Sequence, residues 1–492
     1  MLYSTDFLTA FWAVNGMCKS FRATQMNRWS LGIATACLTT LSLAGCSVGP
    51  DYHSPRELAN ARSFVRQPAQ GTQTAPALAQ WWLTLHDPLL NQLIESALRD
   101  NPDMAMASAR LRQARAALNG QQASQLPKVS AAGAMVRTGL PDMGGASISS
   151  PLDLYSAAFD ASWELDIFGG SRRAVEAAQD QQQASEAALA DIYVSIAAEV
   201  AKNYLQLCGA RQQLAVLDQS IVLQQKMLQL TQQRRERGAA SDSDIARLTS
   251  QLESTRAQQA PLQADINDAL DMLAYLSGKT PGEWDKPLLQ ARLLPLLPAQ
   301  VNIGDPATLL RQRPDIRNAE RKLAASTAQI GMHKADLFPK IKLFGTLGFA
   351  STSQGELWQQ RNETWTLVPY LQWNLLDFGR VKAQVAVAQA QRDEALANWQ
   401  KTLLNALRDA NSSLSRFGHQ RLSVLDVDQA TEASQHASEL MRQRYQAGVA
   451  SLIDLLDTER TSLSAQQNQI SAQTQLLVDY VALQKSLGLG WQ

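Results

Sequence analysis

The chain has 492 residues, and its 45 Lys and Arg are balanced by 45 Asp and Glu, so the formal net charge is zero. That balance, with no local stripe of basic residues, excludes the electrostatic attraction on which nucleic-acid binding rests. Aromatic residues make up only 6% against 45% hydrophobic, and long tracts are rich in Ala, Gln and Leu. Such a bias favours long helices over a compact mixed core. Nothing in the body reaches the roughly 18 apolar residues of a membrane-spanning helix, which excludes a helical membrane transporter.

Residues 1–45 read as a leader. Met26-Asn27-Arg28-Trp29 gives a basic start to the apolar run Leu31–Ala44, which is too short to span a bilayer and closes on small residues. The stretch Met1–Gln25 lacks that layout, so Met26 is an alternative start to Met1. The run ends in Leu43-Ala44-Gly45-Cys46, which resembles the bacterial lipobox, where the signal is cut before a cysteine that then receives lipid. The alternative is a chance cysteine beside an ordinary cleavage site. Ser47 follows, not the Asp that favours inner-membrane retention, so the resemblance implies an outer-membrane address. A multiply acylated Cys46 would hold firmly, because each buried CH₂ contributes ~0.8 kcal/mol. Cys18 and Cys37 leave with the leader, and Cys208, inside a helical pattern, is expected to be a small buried residue with no disulfide partner.

Residues 46–86 form a lipid-anchored N-terminal segment. From there the chain reads as one module written twice, 87–290 and 305–492, joined by a linker at 291–304. Each copy opens with a helix of about 24 residues, Asp103–Leu126 and Asp315–Phe338, that Pro127 or Pro339 ends. Strands are predicted at 128–138 and 154–168, and again at 340–350 and 365–377. Long helices follow at 171–237 and 242–277, and at 380–447 and 452–487. Trp163-Glu-Leu-Asp-Ile-Phe168-Gly169 returns as Trp373-Asn-Leu-Leu-Asp-Phe378-Gly379, and Gln233–Gly238 returns as Gln443–Gly448 at the same offset. Asn101-Pro102-Asp103 and Leu126-Pro127-Lys128 match Arg313-Pro314-Asp315 and Phe338-Pro339-Lys340 at an offset slightly larger. The slip falls between Pro127 and Trp163, where a loop can absorb it.

The second strand of each copy alternates. Tyr155, Ala157, Phe159, Ala161, Trp163, Leu165 and Ile167 share one face, as do Trp365, Leu367, Pro369, Leu371, Trp373 and Leu375, while Ser156, Ala158, Asp160, Ser162, Glu164, Asp166, Thr366, Tyr370, Gln372 and Asn374 face away. Period-two segments of this length suit strands crossing an outer membrane, apolar side to lipid and polar side to a watery lumen; a half-buried soluble sheet is the alternative. Four strands cannot close a barrel, since the smallest have about eight, so a spanning reading requires several chains to pool strands. The 67-residue tracts would extend on the order of 100 Å, a length that needs heptad-like packing against neighbours. Ile192, Ile196, Val200, Tyr204, Leu207, Leu214, Leu217, Ile221, Leu228 and Leu230 supply the apolar spacing.

Taken together the motifs resemble the TolC-like outer-membrane factors of tripartite efflux systems, in the lipoprotein branch that partners resistance-nodulation-division pumps. The resemblance runs from Cys46 to Gln492. Besides the repeated motifs it is carried by Cys46-Ser-Val-Gly-Pro-Asp-Tyr52, Trp81-Trp82, Asp87-Pro88-Leu89-Leu90, Arg444-Tyr445-Gln-Ala-Gly448 and Leu487-Gly-Leu-Gly-Trp491. It implies a mainly α fold with a small β part. In that fold a homotrimer pools four strands per chain into a twelve-stranded barrel, continued by an α-helical barrel through the periplasm. The shorter helices and the N-terminal segment make an equatorial belt. It also implies a periplasmic adaptor and an inner-membrane pump as partners, the adaptor meeting hairpin tips near Gly238 and Gly448.

Ser241-Asp-Ser-Asp244 and Ser451-Leu-Ile-Asp454 both have the form of a capping box after a helix-ending glycine. In the resembled family two aspartates of the second copy narrow the periplasmic entrance, and they match Asp454 and Asp457. Asp454 has a capping role to explain it; Asp457, whose counterpart is Arg247, does not. The family's gate arginine is Ala450 here, which leaves Tyr445 as the matching gate residue and Arg247 as the candidate replacement cation. No phosphate-binding loop, nucleophile elbow or Cys/His ligand cluster is present, so neither an enzyme nor a cofactor beyond the lipid on Cys46 is expected. His53, His86, His333, His419 and His436 are scattered, and Met104 and Met106 read as core rather than copper ligands. The expected function is a passive outer-membrane duct exporting small toxic compounds. The rival readings are the outlet of a type I protein secretion system and a non-conducting coiled-coil lipoprotein.

Overall fold

A computed structural model describes residues 47–55, 64–68, 70–73, 79–139, 151–290, 294–303 and 312–491. The leader, Cys46 and the first residues of the second copy lie outside them. The elements in chain order are β1 (Thr72–Gln73), a 3₁₀ turn at Trp81–Leu85, α1 (Pro88–Asp100), α2 (Pro102–Ala123), β2 (Lys128–Thr138), β3 (Leu152–Leu165), α3 (Gly170–Glu236), α4 (Asp242–Ala257), α5 (Gln259–Leu276), α6 (Asp285–Leu289), β4 (Val301–Asn302), α7 (Pro314–Ala335), β5 (Lys340–Ser351), β6 (Glu363–Gln372), α8 (Arg380–Gln446) and α9 (Leu452–Ser486). The chain divides into two compact units, one of residues 129–170 and 338–374 and one of 49–128, 171–337 and 375–492.

The first unit is a sheet ordered β2-β3-β5-β6, so its middle seam pairs a strand of the first copy with one of the second. β3 and β5 are antiparallel, with Phe159 opposite Leu347, Asp160 opposite Thr346 and Trp163 opposite Leu343. β5 and β6 are antiparallel, with Leu347 opposite Trp365 and Lys342 opposite Tyr370. Opposed residues share a face, so Phe159, Leu347 and Trp365 form one apolar row and Asp160, Thr346 and Thr366 one polar row. β3 ends at Leu165, short of the predicted Phe168, and β6 ends at Gln372 where 377 was expected. In the second case the Asp377 carboxylate accepts hydrogen bonds from the Gly379 and Val381 amides, at 2.9 and 2.8 Å, turning the chain into α8 instead of extending the strand.

In the second unit, helix starts follow from local chemistry. Asp87 caps α1 by accepting from the Leu89 and Leu90 amides, with Pro88 at the first helical position. Asn101 caps α2 through the Asp103 amide and donates from its side chain to the Leu276 carbonyl at 2.8 Å. The matching Arg313 cannot cap; it donates to the Ser486 carbonyl and is held by Asp315. Ser486 is the counterpart of Leu276 in the second copy, so Asn101 and Arg313 each tie a short helix to the end of a long hairpin.

α3 and α8 are both 67 residues long and start at matching positions of the two copies. The start of α4 matches that of α9, and the end of α5 matches the end of α9, but α9 is unbroken. The single helix predicted for 242–277 is instead divided at Gln258. Pro261 lacks the amide that would bond the carbonyl of Ala257, where α4 stops. Of the predicted apolar spacing in α3, Ile196, Val200, Tyr204, Leu207, Leu217 and Ile221 are buried, whereas Leu230 is exposed. The main core joins Trp81, Trp82, Leu85, Leu90 and Ile94 to Tyr204, Leu207, Phe417, Tyr480 and Leu483. Trp81 meets both Trp82 and Tyr480 edge to face. Cys208 is buried as expected, and burial pushes its thiol up to about 11.

Candidate functional site

Three groups of residues carry the functional expectations: the two hairpin turns, the N-terminal segment and the sheet. At the first turn Gly238 has φ +74°, and the Ala239 amide bonds the Arg234 carbonyl at 2.8 Å. At the second, Gly448 has φ +78°, and the Val449 amide bonds the Arg444 carbonyl at 3.0 Å. A Cβ at either glycine would meet open space, so the backbone conformation alone requires glycine there. Arg235 pairs with Asp242 across the first turn.

The first of the two expected capping boxes forms in full, and the second only by half. The Ser241 hydroxyl accepts from the Asp244 amide, and the Asp244 carboxylate accepts from the Ser241 amide at 3.0 Å. Hydrogen bonds from the Ser241 amide and hydroxyl hold the Asp244 carboxyl below its ordinary range, and the positive charges of Arg247 and Arg234 act in the same direction. Ser451 caps α9 through the Asp454 amide and donates its hydroxyl to the Asp454 carboxylate at 2.6 Å. The Asp454 carboxylate is therefore engaged by the Ser451 hydroxyl, whereas the Arg247 charge is felt at Asp244 in the first turn.

Asp457 is exposed and pairs with Arg460 at 2.8 Å, one helical turn on. Arg460 was not among the residues read from the motifs, although an acid and a base three apart on one helix is a legible signal. Tyr445 receives the Arg234 guanidinium over its ring, 5.5 Å from the centroid, which links the end of α3 to the end of α8. Behind it Arg442 bridges Glu439, at 2.8 Å, and Glu459, at 3.2 Å. Burial raises the Glu459 carboxyl and Arg442 opposes the rise. The second hairpin is thus internally braced, and the first is joined to it through an aromatic ring. Sequence reasoning missed Arg234, because a cation–π contact between residues so far apart leaves no local pattern.

The N-terminal segment after Cys46 is tightly laced. Asp51 takes the Arg173 guanidinium at 2.6 Å, and Arg173, with only 6% of its side chain exposed, also holds Glu176 at 2.7 Å. The arginine keeps the Asp51 carboxyl below its usual value. Tyr52 and Ser54 both donate to Glu320 at 3.0 Å, and Arg321 lies over the Tyr52 ring. Burial and the Glu320 charge push the Tyr52 phenol up to about 12. Gly49, at φ +108°, rests against the backbone of Gly331 so closely that a Cβ has no room. Gly49, Asp51 and Tyr52 therefore fix the motif that follows Cys46 to α3 and α7.

On the sheet, Lys340 and Lys342 reach Glu164 at 3.8 and 3.6 Å, and Thr346 donates to Asp160 at 2.7 Å, all on the polar face. The other face leaves Phe159, Leu347, Leu367 and Leu371 uncovered, with Trp365 74% exposed. Phe344 and Val368 interrupt the polar face. Among the described residues no cluster of His, Cys, Asp and Glu could hold a metal ion, and no helix is long and apolar enough to cross a membrane.

Residues 93–279 and 306–489 match the family model described as outer membrane efflux protein. The chain belongs to that family. This outer membrane efflux protein is 31% identical to the probable efflux pump outer membrane protein TtgC of Pseudomonas putida, over 93% of its own length and 96% of the relative's. It is also 31% identical to the pyoverdine export outer membrane protein OpmQ of Pseudomonas aeruginosa, over 95% and 98%. Among solved structures, the outer-membrane channel OprN superimposes with a TM-score of 0.85 at 35% identity, covering 91% of this chain and all of that one. The MtrE outer membrane channel of Neisseria gonorrhoeae gives a TM-score of 0.78 at 26% identity, covering 91% and 99%. The fold is mainly helical with a small β part, the location is the outer membrane, and the role is efflux.

Proposed function

We propose that this protein works as a homotrimer, a passive duct of a tripartite efflux system that carries small toxic compounds or drugs outward. One observation carries the reading: a four-stranded sheet with an exposed apolar face and two edge strands, β2 and β6. An open edge inside a bilayer leaves backbone groups without partners at several kcal/mol each, so such a sheet is stable there only when closed. Three copies would supply twelve strands, apolar side to lipid, with Glu164, Lys340, Lys342 and Asp160 lining water. The helices would form the periplasmic conduit. Lipid on Cys46, passed to α3 and α7 through the Asp51 and Tyr52 contacts, would anchor the N-terminal segment.

With no motif for using energy, transport must be driven by an inner-membrane pump coupled through a periplasmic adaptor that meets the turns at Gly238 and Gly448. Asp457, with Asp454 and Tyr445 near it in sequence, is the proposed gate. Arg234 on Tyr445 takes the place in gate closure that the sequence assigned to Arg247. The test is reconstitution of the full chain in planar bilayers with native mass spectrometry of the same sample. A trimer with unitary currents is expected; a monomer without currents overturns the reading.

A further inference from the structure

The polar face of the sheet is interrupted at one level. Register fixes its rows: Asp160, Thr346 and Thr366; then Ser162, Phe344 and Val368; then Glu164, Lys342 and Tyr370. Opposed residues share a face, and every second residue along a strand returns to it about 7 Å farther on. Phe344 and Val368 are therefore neighbours on adjacent strands, 39% and 42% exposed, and Tyr370 beside them is exposed too. A lone apolar side chain in water is ordinary, but a ring and a branched chain set together, with a phenol next along, make a surface.

Strand pairing does not demand this surface. In the first copy the counterparts of Phe344 and Val368 are Ala132 and Ala158, so small residues serve at the matching places. Its surroundings are also uneven. Along β5 Phe344 is flanked by Lys342 and Thr346, and along β6 Val368 is flanked by Thr366 and Tyr370. The carboxylates stand one strand farther off, on β3. Asp160 accepts the Thr346 hydroxyl at 2.7 Å, and Glu164 is shared between Lys340 and Lys342 at 3.8 and 3.6 Å. A solute lying on Phe344 and Val368 thus meets one charge first, the Lys342 ammonium, whose side chain is 33% exposed.

We infer that Phe344, Val368 and Lys342 form a weak binding site on the duct wall for organic anions with a flat aromatic body. The ring of the solute lies against Phe344 and Val368, and its acidic group competes with Glu164 for Lys342, with the Tyr370 hydroxyl in reach as a further donor. The inference rests on the reading that the polar face lines the passage, and it adds a class of cargo. Aromatic pairs are favoured in offset or edge-to-face arrangements, which a ring free to slide on an exposed phenylalanine can adopt. Weakness is required, because a site in a conduit must release what it takes. Three chains would carry three such sites, since only the second copy has one.

Single-channel recording of the full-length protein in planar bilayers decides the matter, with 2-naphthalenesulfonate added from the outer side as the probe. Block by that anion is expected, and methanesulfonate, of equal charge but with no ring, should need at least about tenfold more. Phe344→Thr should raise the half-blocking concentration roughly threefold to tenfold, whereas Phe344→Tyr should keep most of the block. Val368→Thr, which keeps the side-chain shape, reads the same patch if Phe344→Thr does not insert. Lys342→Gln should weaken the block about twofold to fivefold and leave block by the cation 2-naphthylmethylammonium no weaker. Unchanged block in both threonine variants, or equal block by methanesulfonate, overturns the site. An anion block indifferent to Lys342→Gln overturns the assignment of charge. Absence of unitary currents in the parent protein refutes the duct reading itself, an outcome distinct from currents that the probe fails to block.

Discussion

Asp87 serves two structures with one carboxylate, which makes its loss unusually informative. Oδ1 caps α1 through the Leu89 and Leu90 amides, and Oδ2 accepts the Tyr204 hydroxyl at 2.6 Å. Tyr204 is 1% exposed, and burial pushes its phenol far above the ordinary range, so it is a donor at any working pH. Replacing a capping Asp by Ala costs about 1 kcal/mol. Stranding a buried hydroxyl adds about 1–3 kcal/mol. Asp87→Ala should therefore ease local opening of α1 by about 2–4 kcal/mol, read as hydrogen exchange over residues 88–100 that is faster by roughly thirtyfold to several hundredfold. Tyr204→Phe removes the donor together with its need for a partner and should cost only about 0.5–1.5 kcal/mol. The double variant should then fall short of the sum, since the stranded hydroxyl is gone. Strict additivity, or exchange in Asp87→Ala within a factor of two of the parent, would refute the reasoning.

Three further expectations follow from other parts of the molecule. Trp365→Arg, on the uncovered apolar face, should cost about 2–4 kcal/mol of folding into lipid vesicles if it sits at the bilayer midplane, whereas Thr366→Arg on the polar face should fold normally; equal effects would place both faces in the same surroundings. Asp457→Asn should weaken cation preference in planar bilayers and Arg460→Gln should strengthen it, because each removes one side of an exposed pair; unchanged selectivity in both counts against a gate charge at Asp457. The first turn should also be acid-sensitive: the folded-state pKa of Asp244 is depressed, so its contribution is present above the ordinary Asp value and lost as pH falls through the lowered one. Hydrogen exchange at Ser241–Ile245 should quicken in that acidic window, and Asp244→Asn should abolish the pH dependence.

What could be read from residue order was whatever depends on local chemistry or on repetition. The two 67-residue helices and the strand starts at Lys128 and Lys340 stood close to their predicted places because Pro and Gly fix ends through their own backbone limits and Asp through its carboxylate. Pro261 was in plain view, yet its effect was missed, because the matching Ser471 runs through an unbroken helix and the repeat argued for continuity. The end of β6 was missed for a different reason: apolar alternation continues through Trp373 and Leu375, and only the Asp377 hydrogen bonds reveal that the strand has stopped. At the hairpin turns, Gly238, Gly448 and the caps were legible, whereas Arg234 on Tyr445 depends on which helices become neighbours.

The same distinction explains why the motif Cys46–Tyr52 carries so much information about location and so little about its own packing. Its resemblance to a lipobox is a local code, but the contacts of Gly49, Asp51 and Tyr52 are with Gly331, Arg173 and Glu320, far along the chain. A segment with no secondary structure of its own is ordered only by such partners, since fixing each backbone residue costs about 1–2 kcal/mol. Arg173 is the strongest of them: a nearly covered guanidinium shared between Asp51 and Glu176. With the lipid on Cys46 proposed above, the arrangement makes mechanical sense. Tension on a lipid at Cys46 would be passed through Asp51 and Tyr52 to two helices, one long and one short, instead of being lost in a slack tether.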